Sequence, residues 1–455
     1  MASRPAPHGA RPWVLLVPLL LSTFTSTVAS TVVIVPLALI MADLEVPISQ
    51  GILIVVVFNL TFAVLMPVAG WFGDTFGRRR LICFALCVLA VGTAASALAP
   101  NLEMLVAFRA VQGLGTACLL PNVMSLIATT FAPASRSRAL GAWAAVNGAG
   151  QSAGPALGAV LAGWAGWRAA FWPIVPVALL ACVGVWRLVP ADRPRPGRLE
   201  WHGALLLTTA AFLCLGAITA IPPLGLKSPV VLASGVVGTA LLVAFLMHQH
   251  GRADAFLPLW ILSEPRYVRS CVAVMAQMFC LGATLVGMPL YLVLELGTTT
   301  VVAGAVVLSL PITMLLLAPV AGLIEDRYGL WRTLRLGLLL LIAGQCALAG
   351  LLADRSPVSV GIVLSLVLLG GGVALVQTLA ATGATGSSAG KVGAAIGLYN
   401  LLRFGAAAVG AAWPAVALGA APRYGLIYLL CAIVGGIGLL GTYLPARHDS
   451  EAPQV

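Results

Sequence analysis

The sequence predicts an all-α integral membrane protein. Of its 455 residues, 60% are hydrophobic and only 9% are charged, whereas about 25% of residues are charged in soluble globular proteins. The apolar residues form runs of about 20, the length that a helix needs to cross the hydrocarbon core of a bilayer. These runs are continuous rather than alternating, which excludes a membrane β-barrel and leaves helices as the spanning elements.

Fourteen spans can be placed along the chain. The first persists from Trp13 to Met41 and is followed by others, so we expect a retained helix rather than a cleaved signal peptide. The glycine- and alanine-rich spans at 141–163 and 392–417 have the weakest apolar character. The predicted spans are residues 13–41, 48–69, 80–99, 103–126, 141–163, 170–189, 203–221, 229–247, 270–294, 301–321, 333–352, 357–380, 392–417 and 425–445.

The arginines and lysines orient these spans. With both termini inside, the cytoplasmic segments carry nineteen of these residues, and the opposite side carries only Arg168, Lys227, Arg355 and Arg423. Such an excess is typical of the cytoplasmic side of membrane proteins. We therefore expect a multi-pass protein of the inner (plasma) membrane with both termini cytoplasmic. The net charge of +11 then reflects topology, and no nucleic-acid partner is expected.

A pattern of glycine and aspartate occurs twice. The segment GWFGDTFGRRR begins at residue 70, and GLIEDRYGLWR begins at residue 322. The copies follow spans two and ten, and this offset of eight predicts two six-helix bundles with two further helices inserted between them. The predicted domains are 1–189, 190–250 and 251–455, with polar breaks at 190–203 and 248–256. The corresponding residues are Gly70, Asp74 and Gly77 in the first copy and Gly322, Asp326 and Gly329 in the second.

The first copy is predicted to form a tight cytoplasmic turn. Its arginines alone fit a simple positive-inside turn. The spacing of the whole segment, however, resembles the loop between helices two and three of the major facilitator superfamily (MFS), which implies the MFS fold. In that family the aspartate and arginines form a charge lock on the inward-closed state. The implied gating residues are Gly70, Asp74, Gly77, Arg78, Arg79, Arg80 and Asp326.

An arginine lies in the middle of the fourth span, in the run LVAFRAVQGLG. A charge at that depth is costly unless it faces a cavity or a partner, so Arg109 is a functional candidate. The alternative is a structural role in which it binds carbonyls of a neighbouring helix. The run resembles the MFS arginine motif of helix four, which is associated with proton transfer or coupling. The candidates for the coupling or substrate path are Arg109, Gln112, Gly113, Asn147, Gln151, Asn400 and Arg403.

Glycines recur at intervals of four residues in the fifth span. They lie along one helix face, where missing side chains permit tight packing, and a proline adds a bend. General helix packing would also explain such a stripe. The pattern resembles an antiporter motif, although Ala159 replaces the family's final glycine. With the span count, the resemblance is to the fourteen-helix drug/proton antiporter family, which implies export of drugs, antibiotics or other amphiphiles. The motif residues are Gly141, Gly150, Gly154, Pro155 and Gly158.

The aspartate that this family usually carries early in helix one is missing, because Ala29 stands at the aligned position. No Asp or Glu is predicted in the middle of any span, so proton coupling is implied by the resemblance alone. Exporters of lipophilic cations need a buried carboxylate to offset the charge of the cargo, so we expect a neutral or anionic amphiphile. The polar residues available to line a cavity are Asn59, Gln112, Asn122, Asn147, Gln151, Gln277, Tyr291, Gln345, Gln377, Tyr399 and Asn400.

Other functions fit the sequence less well. The segment GATGSSAGKV at 383–392 departs from a phosphate-binding loop, so ATP-driven transport is not expected. An enzyme would need a nucleophile, a base or a metal cluster in the bundle, so we expect no enzyme, cofactor or metal. A metabolite importer, or an uncoupled facilitator on the same fold, remains the alternative. The expected partners are small-molecule cargo, the lipid bilayer and protons, and the protein is expected to be a monomer.

Overall fold

The computed structural model describes residues 12–46, 48–51, 53–192, 200–252, 255–298, 300–353, 360–420 and 423–444. Within these ranges the regular secondary structure is entirely helical, so the predicted all-α membrane fold is confirmed. Both chain termini, predicted to be cytoplasmic, lie outside the described residues. The same holds for residues 193–199 and 253–254 of the two predicted polar breaks.

The described part of the chain contains sixteen α-helices. The first eight are α1 (Pro12–Thr31), α2 (Leu37–Asp43), α3 (Ile48–Gly51), α4 (Leu53–Phe76), α5 (Arg78–Ala97), α6 (Leu102–Thr130), α7 (Pro133–Ala165) and α8 (Ile174–Leu188). The others are α9 (Trp201–Leu224), α10 (Pro229–Gln249), α11 (Pro265–Leu290), α12 (Thr300–Tyr328), α13 (Leu330–Ala353), α14 (Val360–Thr385), α15 (Gly393–Ala420) and α16 (Tyr424–Gly441).

Fourteen of these helices match the predicted spans in order, and α2 and α3 are short additional segments. Thirteen helices have the length and hydropathy needed to cross a membrane in the described part of the chain. The remaining long helix is α7, which has 33 residues but carries the glycine- and alanine-rich segment of weak apolar character. Its length and its packing between α1 and α12 support its assignment as the fifth span.

The first predicted span is not continuous. Helix α1 ends at Thr31, a turn covers residues 32–36, and α2 begins at Leu37. Pro36 accounts for the interruption, because proline has no amide hydrogen and disfavours the helical conformation of the residue before it. The prediction of one span over residues 13–41 is therefore wrong beyond Thr31.

The two helices that carry the duplicated motif run past their predicted ends. Helices α4 and α12 extend to Phe76 and Tyr328, so Asp74 and Asp326 lie in the last helical turns. This corrects the expectation that Asp74 lies in the turn itself. The turns follow at Gly77 and Gly329, whose φ angles are +92° and +82°. Glycine adopts such angles without the steric cost of a side chain. The duplicated motif therefore has the same backbone geometry in both copies.

The helices pack as two related groups. We call α1–α8 the first half and α11–α16 the second half. Across their interface α4 packs against α15, and α7 packs against α12. The second span of each half thus meets the fifth span of the other. Helices α9 and α10 pack on each other at the periphery, where only 22% and 17% of their spans are buried, and α9 also contacts α4 and α15.

Candidate transport cavity and its closure

A cavity of about 350 Å³ lies between the two halves. Helices α1, α4, α6 and α7 form one wall, and α11 and α15 form the other. Residues along α1 supply most of the hydroxyl groups, three side-chain amides add further polar groups, and aromatic and aliphatic side chains supply most of the remaining surface. The lining residues are Ser26, Thr27, Ser30, Thr31, Ile34, Asn59, Phe62, Thr116, Leu120, Asn147, Gln151, Pro155, Met278, Leu281, Gly282, Leu285, Phe404 and Ala407.

The polar groups of this lining are neutral. The hydroxyls of Ser26, Thr27 and Ser30 donate to carbonyls one turn earlier in α1, which leaves their oxygen lone pairs able to accept a further hydrogen bond. The Gln151 amide donates to the side-chain oxygen of Asn147 at 2.7 Å. No charged side chain is among the described lining residues. The cavity therefore suits an amphiphile that needs hydrogen bonds but no counter-charge.

Three of the polar residues expected to line a cavity do so, namely Asn59, Asn147 and Gln151. The others are buried between helices outside the lining: Gln112, Asn122, Gln277, Tyr291, Gln345, Gln377, Tyr399 and Asn400. The hydroxyl residues of α1 were not anticipated. The segment STFTSTVAST at 22–31 contains seven Ser and Thr residues. Such a density is unusual for a membrane span and could have indicated a role of α1 in the cavity.

One end of the bundle, which holds residues 70–80 and 322–332, is closed by two contacts between the halves. We call it the motif end. In the first clasp, Asp74 Oδ2 accepts a hydrogen bond from the Gly393 amide at 2.5 Å, and Asp74 Oδ1 binds Arg78 Nη2 at 2.6 Å. Gly70 makes the approach possible, because a Cβ there would lie 2.0 Å from the Gly393 carbonyl oxygen.

The other two arginines of the motif have different surroundings. The Arg79 guanidinium donates to the Trp186 carbonyl and lies over the Trp186 ring, and Arg80 is exposed. The predicted lock of Asp74 with three arginines is therefore made by Arg78 alone. Asp192 holds the start of α5, because its carboxylate accepts from the Arg78 amide at 2.7 Å and from the Arg79 amide at 3.3 Å. Its place after α8 gave no sign of this contact.

The second clasp joins α12 to the start of α7. Arg138 Nε and Nη2 donate to Asp326 Oδ2 at 3.0 and 2.7 Å. Gly322 again permits the approach, since a Cβ there would lie 2.8 Å from the Arg138 backbone nitrogen. Arg138 was not among the predicted gating residues, but Asp326 was. The two copies of the motif thus meet equivalent helix starts in opposite halves.

The glycines of the antiporter motif lie on two faces of α7. Gly141 faces α12, where an added Cβ would lie 2.6 Å from the Ala318 carbonyl oxygen. Toward α1, an added Cβ would lie 2.8 Å from Thr27 Cβ at Gly150, 1.9 Å from Thr31 Oγ1 at Gly154, and 2.0 Å from the Val32 carbonyl oxygen at Gly158. The predicted glycine stripe therefore packs α7 onto α1, and Pro155 lines the cavity.

Arg109 lies inside the first half rather than in the cavity lining. Its Nε donates to the Ile54 carbonyl at 3.0 Å, and its Nη1 donates to the Ala29 carbonyl at 2.8 Å and to Gln112 Oε1 at 2.7 Å. The guanidinium also lies over the ring of Phe58. The residue that replaces the family's aspartate therefore still contacts this arginine, but through its backbone oxygen.

The remaining path candidates are buried in the interior. Gly113 allows α6 to approach α4, because an added Cβ would lie 2.7 Å from the Phe58 carbonyl oxygen. The amide nitrogen of Asn400 donates to the Ile396 carbonyl and reaches Met124 across the interface between the halves. Arg403 is fully buried and lies over the faces of Trp143 and Phe404.

At the opposite end from the motifs, Asp43 joins α2 to the short helix Trp167–Ala170. Its Oδ2 accepts from Trp167 Nε1 at 2.9 Å and from Arg168 Nη1 at 2.7 Å. Hydrogen bonds from the Trp167 indole and the Arg168 guanidinium lower the pKa of the Asp43 carboxyl. Both partners belong to the first half, so this pair does not close the cavity.

A family profile described as Major Facilitator Superfamily matches residues 19–411 and 270–454 of the chain. The chain belongs to the Major Facilitator Superfamily. The MFS members are transporters, and the two halves and the cavity described above follow the architecture expected for such proteins.

Two relatives of similar sequence are named as export or efflux proteins. The tetracenomycin C resistance and export protein of Streptomyces glaucescens is 29% identical over 98% of this chain and 86% of its own length. The multidrug efflux pump LfrA of Mycolicibacterium smegmatis is 32% identical over 66% of this chain and 59% of its own. These relatives confirm the resemblance to drug and antibiotic exporters that the motifs indicated.

Solved structures agree on the fold. The human organic anion transporter MFSD10 matches with a TM-score of 0.65 at 17% identity, over 96% of this chain and 99% of that protein. The proton:xylose symporter XylE matches with a TM-score of 0.68 at 14% identity, over 94% of each chain. At such identities the likeness establishes the MFS fold and carries no information about the cargo.

Proposed function

We propose that this MFS transporter exports a small, neutral or anionic amphiphile, of drug or antibiotic type, by alternating access. The observation that carries the proposal is the uncharged cavity between the halves, together with the two clasps that close one of its ends. The efflux function named for its relatives supports export over the alternative, a metabolite importer.

The proposed cycle rocks the first half against the second around the cavity. The motif end is predicted to be cytoplasmic, with both termini on that side of the inner membrane. The structure then represents a state closed to the cytoplasm. Opening would separate Asp74 from Gly393 and Arg138 from Asp326, so both clasps would break and reform once in each transport cycle.

The lining favours a neutral or anionic cargo. A lipophilic cation moved into a water-poor cavity needs a nearby carboxylate to offset the loss of hydration. The described lining has none, whereas its hydroxyls and amides can accept or donate hydrogen bonds to ketones, phenols and amides. We therefore place neutral and anionic aromatic natural products among the preferred cargoes.

Proton antiport is part of the proposal, and its basis is the family resemblance. The described carboxylates lie near the ends of the bundle, as at Asp43, Asp74 and Asp326. A proton exchanged for cargo would therefore be taken up at the bundle ends rather than beside the cargo. The alternative is an uncoupled facilitator on the same fold. A pH gradient imposed on proteoliposomes separates the two, because only antiport accumulates cargo against its concentration gradient.

In the proposed cycle, the three predicted domains of the chain have different roles. Residues 1–189 and 251–455 are the moving bundles, and residues 190–250 carry the two inserted helices. A monomer is sufficient, because the cavity is lined by α1, α4, α6, α7, α11 and α15 of one chain.

The test is flux into proteoliposomes of three probes: anthracene-9-carboxamide, anthracene-9-carboxylate and tetraphenylphosphonium. We expect flux of the two anthracenes and little flux of the cation. Ser30→Phe fills the cavity and should lower anthracene flux at least about tenfold, since an aromatic side chain takes the volume of the cargo. Val160→Phe is the matched control, because Val160 lies on α7 outside the lining and is 69% exposed.

Equal flux in wild type and Ser30→Phe would exclude this cavity as the route. Selective flux of tetraphenylphosphonium would overturn the proposed charge preference while leaving the transport function in place.

A further inference from the structure

Arg403 is a buried cation without a hydrogen-bond acceptor. Its side chain is fully buried on α15, and Nε, Nη1 and Nη2 all lack a partner among the described residues. Trp143, over whose ring the guanidinium lies at 5.3 Å, is also fully buried, and its Nε1 is likewise without an acceptor. Hydrogen-bond donors therefore meet here with no acceptor to receive them.

Arg109 is a buried arginine of the same protein that does have acceptors, although its Nη2 is left without one in the part of the chain that the structure describes. It makes hydrogen bonds to two carbonyls and one amide oxygen. Arg403 instead lies over the aromatic faces of Trp143 and Phe404, with its guanidinium carbon 4.8 Å from the Phe404 ring centre. A cation–π contact replaces a small part of the lost hydration, and an unpaired buried charge costs several kcal/mol. Such a cation is explained if an acceptor binds it in another state.

The position of Arg403 indicates which state that is. It lies ten residues after Gly393, so it is about 15 Å along α15 from the first clasp. Phe404 and Ala407 line the cavity, and the Phe404 ring packs against Phe62 at 4.6 Å. Phe404 contacts the Arg403 guanidinium as well, so its ring lies between Arg403 and the cavity in the state with a closed motif end.

We propose that Arg403 forms a site for a monovalent anionic group, such as a carboxylate on the cargo or a free halide, when the motif end is open. The inference rests on the proposed transport function and deepens it. The site is exposed when the first clasp opens and α15 moves away from α4. It is covered by Trp143 and Phe404 when the clasp is closed.

This arrangement gives the two states different affinities for an anion. In the state open at the motif end, Trp143 moves away with the first half, and the Arg403 guanidinium donates charge-assisted hydrogen bonds to the anionic group. Closure returns Trp143 to the Arg403 guanidinium and leaves the Phe404 ring between Arg403 and the cavity, so the anion loses this donor and its affinity falls. An anionic cargo is thereby captured at the motif end and released from the cavity.

The experiment compares anthracene-9-carboxylate with anthracene-9-carboxamide, which differ at one group. We measure the ratio of their KM values for export from the motif side, in wild type and in the variants Arg403→Gln and Arg403→Lys. Arg335→Gln is the control, because Arg335 binds Thr442 in the second half and is not part of the cavity lining. Each assay is run in chloride and again with gluconate in its place.

If the anionic group is a carboxylate on the cargo, the KM of wild type should be at least about tenfold lower for the acid than for the amide. This is the range expected for a hydrogen bond to a charged group. Arg403→Gln should reduce that ratio to about one, Arg403→Lys should retain part of it, and Arg335→Gln should keep it. If the anionic group is a free halide, the KM values for the acid and the amide should be about equal. Flux of the amide should then depend on chloride in wild type but not in Arg403→Gln.

An absence of both acid preference and chloride dependence in wild type would overturn the anion site. Both properties are measured on the wild-type protein, so this result does not depend on the folding of any variant. It also differs from failure of the proposed transport function, in which neither anthracene probe would be transported.

Discussion

The clasp at Asp74 and the clasp at Asp326 occupy equivalent places in the two halves, yet their carboxylates are bound differently. Asp74 accepts from a backbone amide and from Arg78, and the side chains of that ion pair are only 18% and 11% exposed. Asp326 binds the side chain of Arg138, and this pair is 34% and 47% exposed. Burial weakens screening by water, so the Asp74 contacts are the stronger of the two.

The difference shows how a duplicated motif diverges while the topology stays the same. Each copy places a carboxylate at the end of a second span, facing the start of a fifth span. In one case that start offers the backbone at Gly393, and in the other it offers the long side chain of Arg138. The backbone contact needs glycine on both sides, whereas the side-chain contact tolerates more change.

We expect the largest loss of flux from a steric change at the first clasp. Gly70→Ala would place a Cβ 2.0 Å from the Gly393 carbonyl oxygen, so α4 and α15 could not close fully. We expect anthracene flux to fall by at least about tenfold, because backbone atoms cannot give way as side chains do. Gly304→Ala is the control, since nothing lies within 4 Å of a Cβ at that position on α12. Wild-type flux in Gly70→Ala would show that this contact is not needed for transport.

The second effect separates the two carboxylates. Asp74→Asn removes the charge from a partly buried hydrogen-bonded group, for which losses of about 1.5–3 kcal/mol are typical. We expect flux to fall about tenfold or more, with membrane insertion intact. Asp326→Asn should change flux by less than about fivefold, because exposed ion pairs contribute about 0–1 kcal/mol. Equal losses in the two variants, measured in the same proteoliposomes, would contradict the ranking.

The third effect concerns rescue by charge reversal. Arg138→Asp should lower flux modestly, and adding Asp326→Arg should restore most of it, because the pair consists of two exposed side chains that can exchange roles. The single-variant loss should shrink at high salt, which screens exposed charges. No such rescue is available at Asp74, whose partner across the interface is a backbone amide. Failure of the double variant would mean that Arg138 has a second role.

The smallest effect is expected at Asp43, whose partners belong to one half. Its pKa is lowered in the folded protein, so the contact stabilises the fold above the usual carboxyl pKa of about 4. This stabilisation is lost as the pH falls through the lowered pKa. Asp43→Asn should lower the Tm near neutral pH and match wild type in strong acid, with flux at neutral pH changed by less than about twofold. A Tm difference that grew toward acid would have the wrong sign.

The sequence was sufficient for the features that depend on composition and spacing. Apolar runs predicted the fourteen long helices in order, of which thirteen have the length and hydropathy of a membrane span. The repeated spacing from Gly70 and Gly322 identified both sides of the motif end. The break after Thr31 could have been predicted as well, because Pro36 marks it. The hydroxyl-rich segment of α1 also carried a signal of its role in the cavity.

Other features depend on contacts that leave no pattern in the sequence. Backbone groups are present at every residue, so nothing distinguished the Gly393 amide or the Ala29 carbonyl as partners. Asp192 reaches the start of α5 from more than one hundred residues away in the chain. The lack of a hydrogen-bond acceptor at Arg403 among the described residues depends on which residues surround it in the folded protein. The sequence does not show that Trp143 and Phe404 pack against it.

Helix α9 has a consequence for how cargo reaches the protein from lipid. It packs against both α4 and α15, and Leu215 of α9 approaches Gly405 of α15. Neither inserted helix packs comparably on α7 or α12 among the described residues. An amphiphile dissolved in the bilayer therefore meets one seam that the inserted helices cover and one that they do not. We expect lateral entry from the membrane to favour the seam that the inserted helices leave uncovered.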